Sequence, residues 1–135
     1  MAPRRVFVVG AGAIGGALAG LLVRAGFPCS VVARGETVRI LQERGLELRF
    51  PDRVERVAVP VVPLDAATPD DLVLVATMSH HTASAIAGLD PRVPVLSAQN
   101  GLSCFDALSG RPTLAATLWM PVERREPGVL ALMGW

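Results

Sequence analysis

The chain has 135 residues, thirteen of them basic and twelve acidic, for a formal net charge of +1. That near balance removes the electrostatic case for nucleic acid or an anionic membrane as partner, and the length suits one domain around a single core. Every basic residue is Arg, so the chain holds no Lys. Its two cysteines, Cys29 and Cys104, lack CxxC or CxxH spacing and read as buried thiols of a cytoplasmic protein, not as a zinc site or a disulfide framework.

The first element lies inside VFVVGAGAIGGALAGLLV, from Val6 to Val23, which has no charged residue and is flanked by Arg4, Arg5 and Arg24. Such a run resembles a signal peptide and reaches the lower limit for a membrane anchor. Its glycines and its change of texture argue against both. RVFVVG is β-branched and aromatic, like a buried strand, whereas AIGGALAGLLVRAG is rich in Ala and Leu and places Ile14, Leu18, Leu21 and Leu22 at helical spacing. Strand, glycine turn, helix is the economical parse.

That parse sets GAGAIG, Gly10 to Gly15, between a strand and a helix. Gly10 permits the tight turn, Gly12 a close approach of backbone to a pyrophosphate, and Gly15 close packing of helix on strand. The unpaired N–H groups and dipole of the helix start would hold the phosphates. The bland alternative is a glycine-rich turn that binds nothing. CSVVAR, Cys29 to Arg34, reads as the second strand. An NAD binder carries Asp or Glu at its end, but this chain has Arg34, whose guanidinium suits a 2′-phosphate. NADP over NAD follows, unless Arg34 is merely a solvated strand end; Glu36 could recover a ribose contact.

Further on, a helix is predicted from Glu36 to Arg44, with Gly45 as its left-handed stop and Leu46 as the apolar contact beyond. LELRF and VERVAVPVV form a hairpin split by Pro51-Asp52, and Pro60 and Pro63 make its second strand an edge or end it early. DLVLVAT, Asp71 to Thr77, is a buried strand, followed by a short helix capped by Ser79 and ended by Gly88. PVLSAQN is the next strand, and SCFDALSG carries a capping box of Ser103 with Asp106 before Gly110. TLAATLWM and GVLALMGW are two late strands joined by a polar turn, PVERREPG. Strands alternating with helices mean an α/β fold, a Rossmann-like mostly parallel sheet with helices on both faces.

Asn100 stands at the carboxyl end of a strand, beyond which ligands of such folds bind, and its amide both donates and accepts; Asn-Gly is equally a favoured turn pair. Adjacent His80 and His81 point too far apart on a helix start to chelate one metal, and Ser79 beside His80 lacks the arrangement of nucleophile and base. No metal ligand and no catalytic group is assigned.

GAGAIGGALAGLLVRAG, VVARGETVRILQERGLEL, DLVLVATMSHHTASAI, PVLSAQNGL and ERREPGVL stand in an order that resembles the N-terminal, NADPH-binding domain of ketopantoate reductases (2-dehydropantoate 2-reductases). The resemblance implies a single NADP-binding domain over residues 1–135. Gly10, Ala11, Gly12, Ala13, Ile14 and Gly15 would cradle the pyrophosphate, Arg34 would meet the 2′-phosphate, and Asn100 would sit near nicotinamide and substrate. It implies reduction of a 2-keto acid in pantothenate biosynthesis.

Two departures matter. Met78 stands where the family has a Lys before Ser79, and a thioether neither donates a hydrogen bond nor neutralises phosphate. The family's C-terminal helical domain, source of its Lys proton donor, is absent from this sequence. The expected function is therefore the NADP(H)-binding half of such an oxidoreductase, incomplete as a catalyst alone, with a separate helical domain or a second copy as partner. A non-catalytic dinucleotide sensor is the alternative, and an anchored or secreted protein a third. With 51% apolar residues, a face near Trp119, Met133 and Trp135 is expected to stay uncovered and drive association.

Overall fold

A computed structural model describes residues 2–100 and 102–134. Five parallel strands form the first sheet: β1 (Val6–Val9), β2 (Cys29–Val32), β5 (Leu72–Val75), β6 (Val95–Ser97) and β7 (Thr113–Ala115), in the order β2-β1-β5-β6-β7. A lone parallel bridge between Val31 and Val61 adds a stub outside β2. This is the strand order of the doubly wound dinucleotide fold, with its third strand reduced to one residue. The reduction has a cause in Pro60 and Pro63, which lack the N–H a longer ladder needs; Val31 N–H reaches the Pro60 carbonyl and Val62 N–H returns to Val31, and pairing stops there.

A second sheet runs β4-β3-β9-β8. β3 (Leu46–Arg49) and β4 (Val54–Val57) form the expected antiparallel hairpin, and β8 (Val122–Glu126) and β9 (Val129–Leu132) form another. Parallel pairing of β3 with β9 joins the two. The expected polar turn at PVERREPG is thus corrected: most of it is β8, an exposed edge strand, and the tight turn is only Pro127-Gly128, with Gly128 at φ +79°. An edge strand rich in charge lacks the apolar alternation that reveals a half-buried one.

Helix α1 (Ala13–Arg24) lies between the two sheets. Val6 and Val8 of β1 face it, in one core with Leu46, Leu48 and Leu130 of the second sheet. Phe7 and Val9 point the other way, into a core with α3 (Thr82–Ala85), Ile86 and Leu108. α2 (Glu36–Arg44) adds Leu41 to the first core, and α4 (Cys104–Ala107) lies beside the second. Burying a side chain such as Phe7 contributes about 1.5–3 kcal/mol.

Burial on both sides explains why α1 is apolar all round. A glycine inside a helix costs roughly 1 kcal/mol relative to Ala, but a Cβ at Gly16 would come within 2.8 Å of Leu130 Cδ1, and one at Gly20 within 2.8 Å of Leu46 Cδ2. Those two glycines let the second sheet seat on the helix. The uncharged run is a strand and a helix, and among the described residues no helix is long and apolar enough to cross a membrane.

Three local expectations are corrected. Gly45 has the positive φ, +71°, but its ψ of −170° is extended, so the chain passes straight into β3 instead of closing a left-handed turn. Ser103 does not cap α4 with its side chain, because at φ −64° and ψ −22° it is already helical. Ser79 opens a 3-10 turn (Ser79–His81), and it is its carbonyl that serves, accepting from Thr82 Oγ1 at 2.8 Å. Cys29 and Cys104 are buried without a disulfide, as expected. Trp119 is 97% and Met133 53% exposed; Trp135 lies outside the described residues.

Candidate functional site

The chain leaves β1 for α1 on one face of the first sheet and leaves β5 for α3 on the other, so a crevice opens at the carboxyl ends of β1, β2 and β5. The glycine turn forms its floor. Gly10 has φ +101°, donates its N–H to the Val32 carbonyl at 3.2 Å, and lies so near β5 that a Cβ would meet Thr77 Cγ2 at 3.0 Å. A Cβ at Gly15 would overlap the Gly10 carbonyl oxygen. Gly12 differs from both: at φ −76° and ψ −160° its backbone suits any residue, and a Cβ there would meet nothing within 4 Å. The fold therefore requires glycine at 10 and 15 but not at 12, where the open side is the crevice itself. Gly12 also heads α1 with no side-chain cap.

Above this floor is a cleft of about 270 Å³. Gly10, Ala11 and Gly12 line one side, Arg34 and Thr37 the end beyond β2, and His81 and Ser84 the α3 side. Arg34 is exposed and donates from Nη2 to the Ser84 carbonyl at 3.3 Å, which sets it across the cleft mouth. Glu36 does not line it; its carboxylate lies 3.9 Å from Arg39. Arg124 of β8 does line it, a residue missed in the sequence because its segment reads as a turn. No described carboxylate lines the cleft.

A second hollow, about 450 Å³, lies on the other side of Thr77, which lines both. It holds Ile14, Asn100, Met78 and His80. The structure thus brings Gly10, Ala11, Gly12 and Arg34 to one cleft and Ile14 and Asn100 to the adjoining one, with Ala13 opening α1 and Gly15 beneath the floor. The rings of His80 and His81, centroids 4.0 Å apart and tilted by 46° to each other, line one hollow each. No group of three His, Cys, Asp or Glu among the described residues is placed to hold a metal.

Gln99 ties the second hollow together. Its Nε2 donates to the Thr77 carbonyl at 2.9 Å and to Thr82 Oγ1 at 2.8 Å, and its Oε1 accepts from Ser97 Oγ at 3.2 Å. One amide so joins the ends of β5 and β6 to the start of α3. Only its adjacency to Asn100 hinted at this.

Strand order and a glycine turn at its reversal define a Rossmann-like α/β domain. The family model for ketopantoate reductase PanE/ApbA matches residues 6–135, and the chain belongs to that family of NAD(P)-dependent oxidoreductases. It is 30% identical, over 136 residues, to the 2-dehydropantoate 2-reductase of Pyrococcus horikoshii, covering 96% of this chain and 44% of that protein. It also superposes on a PanE/ApbA family ketopantoate reductase from Ralstonia eutropha with TM-score 0.84 and 32% identity, over 96% of this chain and 46% of that one. A D-mandelate dehydrogenase solved with NADH and anilino(oxo)acetate shares the fold at TM-score 0.83 and 19% identity, over 96% of this chain and 46% of its own. The chain spans a little under half the length of each.

Proposed function

We propose that residues 1–135 form one NADP(H)-binding domain, the cofactor-holding half of a 2-dehydropantoate 2-reductase-like oxidoreductase of pantothenate biosynthesis. The cleft that unites Gly10, Gly12 and Arg34 carries this reading. Gly12 and the first turn of α1, where Ala11, Ala13 and Ile14 offer backbone N–H groups, would hold the pyrophosphate. Arg34 takes the 2′-phosphate through its remaining guanidinium donors. Asn100, which lines the second hollow beyond Thr77, would present its amide to the nicotinamide carboxamide or to a substrate oxygen. The cofactor supplies a hydride; the chain's own residues bind and orient it. The shared fold of a D-mandelate dehydrogenase that holds NADH supports a nicotinamide dinucleotide as the class of ligand.

Calorimetric titration of the chain with NADPH and NADH tests this. Binding with NADPH preferred is expected; no heat with either nucleotide would end the reading. A second reading, a cytoplasmic dinucleotide-binding or sensing module without turnover, is favoured by Met78 in the second hollow, whose thioether neither donates a hydrogen bond nor carries charge. Hydride transfer to a 2-keto acid needs a proton donor for the developing alkoxide. NADPH absorbance followed with 2-dehydropantoate, with and without a separately expressed helical domain, separates the two: decay in either mixture supports the reductase, and binding without decay supports the sensor.

A further inference from the structure

We propose that Arg124 is a second ligand for the 2′-phosphate of NADP(H), meeting it from the second sheet while Arg34 meets it from the first. This inference rests on the reading of the cleft as the dinucleotide site.

The placement follows from register. Arg124 of β8 pairs directly with Leu130 of β9, and directly paired residues share one face of a sheet. Leu130 is fully buried and lies against α1 at Gly16, one turn from the glycine floor. Arg124 therefore leaves the second sheet on the side that looks at α1. The β8–β9 ladder slips between Arg124 and Glu126, a bulge that leaves Arg125 opposite no partner. Arg125 turns to Glu123 at 3.3 Å, while Arg124 reaches the cleft.

The charge pattern then matters. Arginines on this chain mostly answer to carboxylates: Glu47 serves Arg49 and Arg56, Glu55 serves Arg24 and Arg53, and Asp90 serves Arg92. Among the described residues the Arg124 side chain has no such partner, and Arg34 has only the Ser84 carbonyl. Two guanidiniums thus border one cleft with no described carboxylate between them. A phosphate monoester, with charge near −2 and three acceptor oxygens, accepts two planar forks at once. Arg124 lines the cleft with Arg34 and is not part of the hollow that holds Asn100, so it stands on the phosphate side of the cofactor site, away from the nicotinamide end.

The test is fluorescence titration of wild type, Arg124→Ala, Arg124→Lys and Arg34→Ala with NADPH and with NADH, at fixed salt. Arg124→Ala is expected to weaken NADPH on the order of 10- to 100-fold and NADH less than about twofold. Arg124→Lys, with a charge but no fork, should fall between. Arg124 is an exposed side chain, so thermal melting without nucleotide should not move. Equal weakening of both nucleotides, or unchanged NADPH affinity, overturns the assignment while the cleft reading stands. Failure of wild type to bind either nucleotide overturns both.

Discussion

Gly15 lies directly beneath Gly10, so close that a methyl group at 15 would overlap the Gly10 carbonyl oxygen. Backbone cannot yield there as a flexible side chain could, so Gly15→Ala must push α1 off β1. An overpacked contact of this kind costs roughly 1–3 kcal/mol or more. Gly12→Ala is the instructive partner, since its added methyl meets nothing within 4 Å. Its φ already suits Ala, so stability should hold or rise by up to about 1 kcal/mol. Thermal melting with and without NADPH should therefore split the pair: Gly15→Ala melts lower, whereas Gly12→Ala melts normally and loses the shift that NADPH gives wild type.

Arg34 should decide between the two nicotinamide nucleotides. It is exposed and its one hydrogen bond runs to the Ser84 carbonyl, so its loss should leave stability within about 0.5 kcal/mol. Arg34→Asp places a carboxylate where it would accept hydrogen bonds from ribose hydroxyls and would repel a 2′-phosphate. NADPH affinity should fall about 100-fold or more while NADH holds or improves. A parallel loss of both, measured by calorimetry, would move the 2′-phosphate elsewhere.

The site was legible where local chemistry and fold agree. RVFVVG and the glycines after it could adopt little else than strand and turn, and Glu36 to Arg44 formed a helix with the expected bounds, ending at Gly45. What stayed hidden depends on contacts distant in sequence. β8 is a strand because β9 pairs with it, not because VERRE prefers extension, and Arg124 reaches the cleft only because Leu130 seats on Gly16. Gln99 reads as an ordinary polar residue until Thr77, Thr82 and Ser97 close around it. The caps failed for a simpler reason: Ser103 is itself in helical geometry, so its hydroxyl cannot face the amides it was expected to cap.

The thiols offer a check on packing. Cys29 is 6% exposed and burial pushes its thiol up to about 11, while Cys104 is 1% exposed with Ser97 Oγ 3.4 Å away. The thiolate is the reactive form, so alkylation of Cys29 at pH 8 should run at least ~100-fold slower in the native chain than in denaturant. Rapid native labelling, read by mass spectrometry, would contradict the packing of β2 against α1.

Acid should loosen the chain from the end of the first sheet opposite the cleft. Asp71, fully buried before β5, accepts from Arg5 Nε at 3.0 Å, from Arg5 Nη2 at 2.8 Å, and from Thr68 N and Oγ1 at 2.9 and 3.0 Å. Burial opposes its ionisation, but the hydrogen bonds from Arg5 and Thr68 outweigh it and hold the carboxyl below its ordinary 3.8. A folded value below the unfolded one means that the stabilisation is complete above pH 3.8 and drains away as pH falls through the folded value. Asp90, held at about 2 chiefly by the Arg92 side chain, acts in the same direction. Melting temperature should thus be flat near neutrality and drop between pH 3.8 and about 2. Asp71→Asn should melt roughly 5–10 °C lower at pH 7, and its deficit against wild type should shrink as pH falls. A constant deficit down to pH 2 would show that Asp71 acts by shape and not by charge.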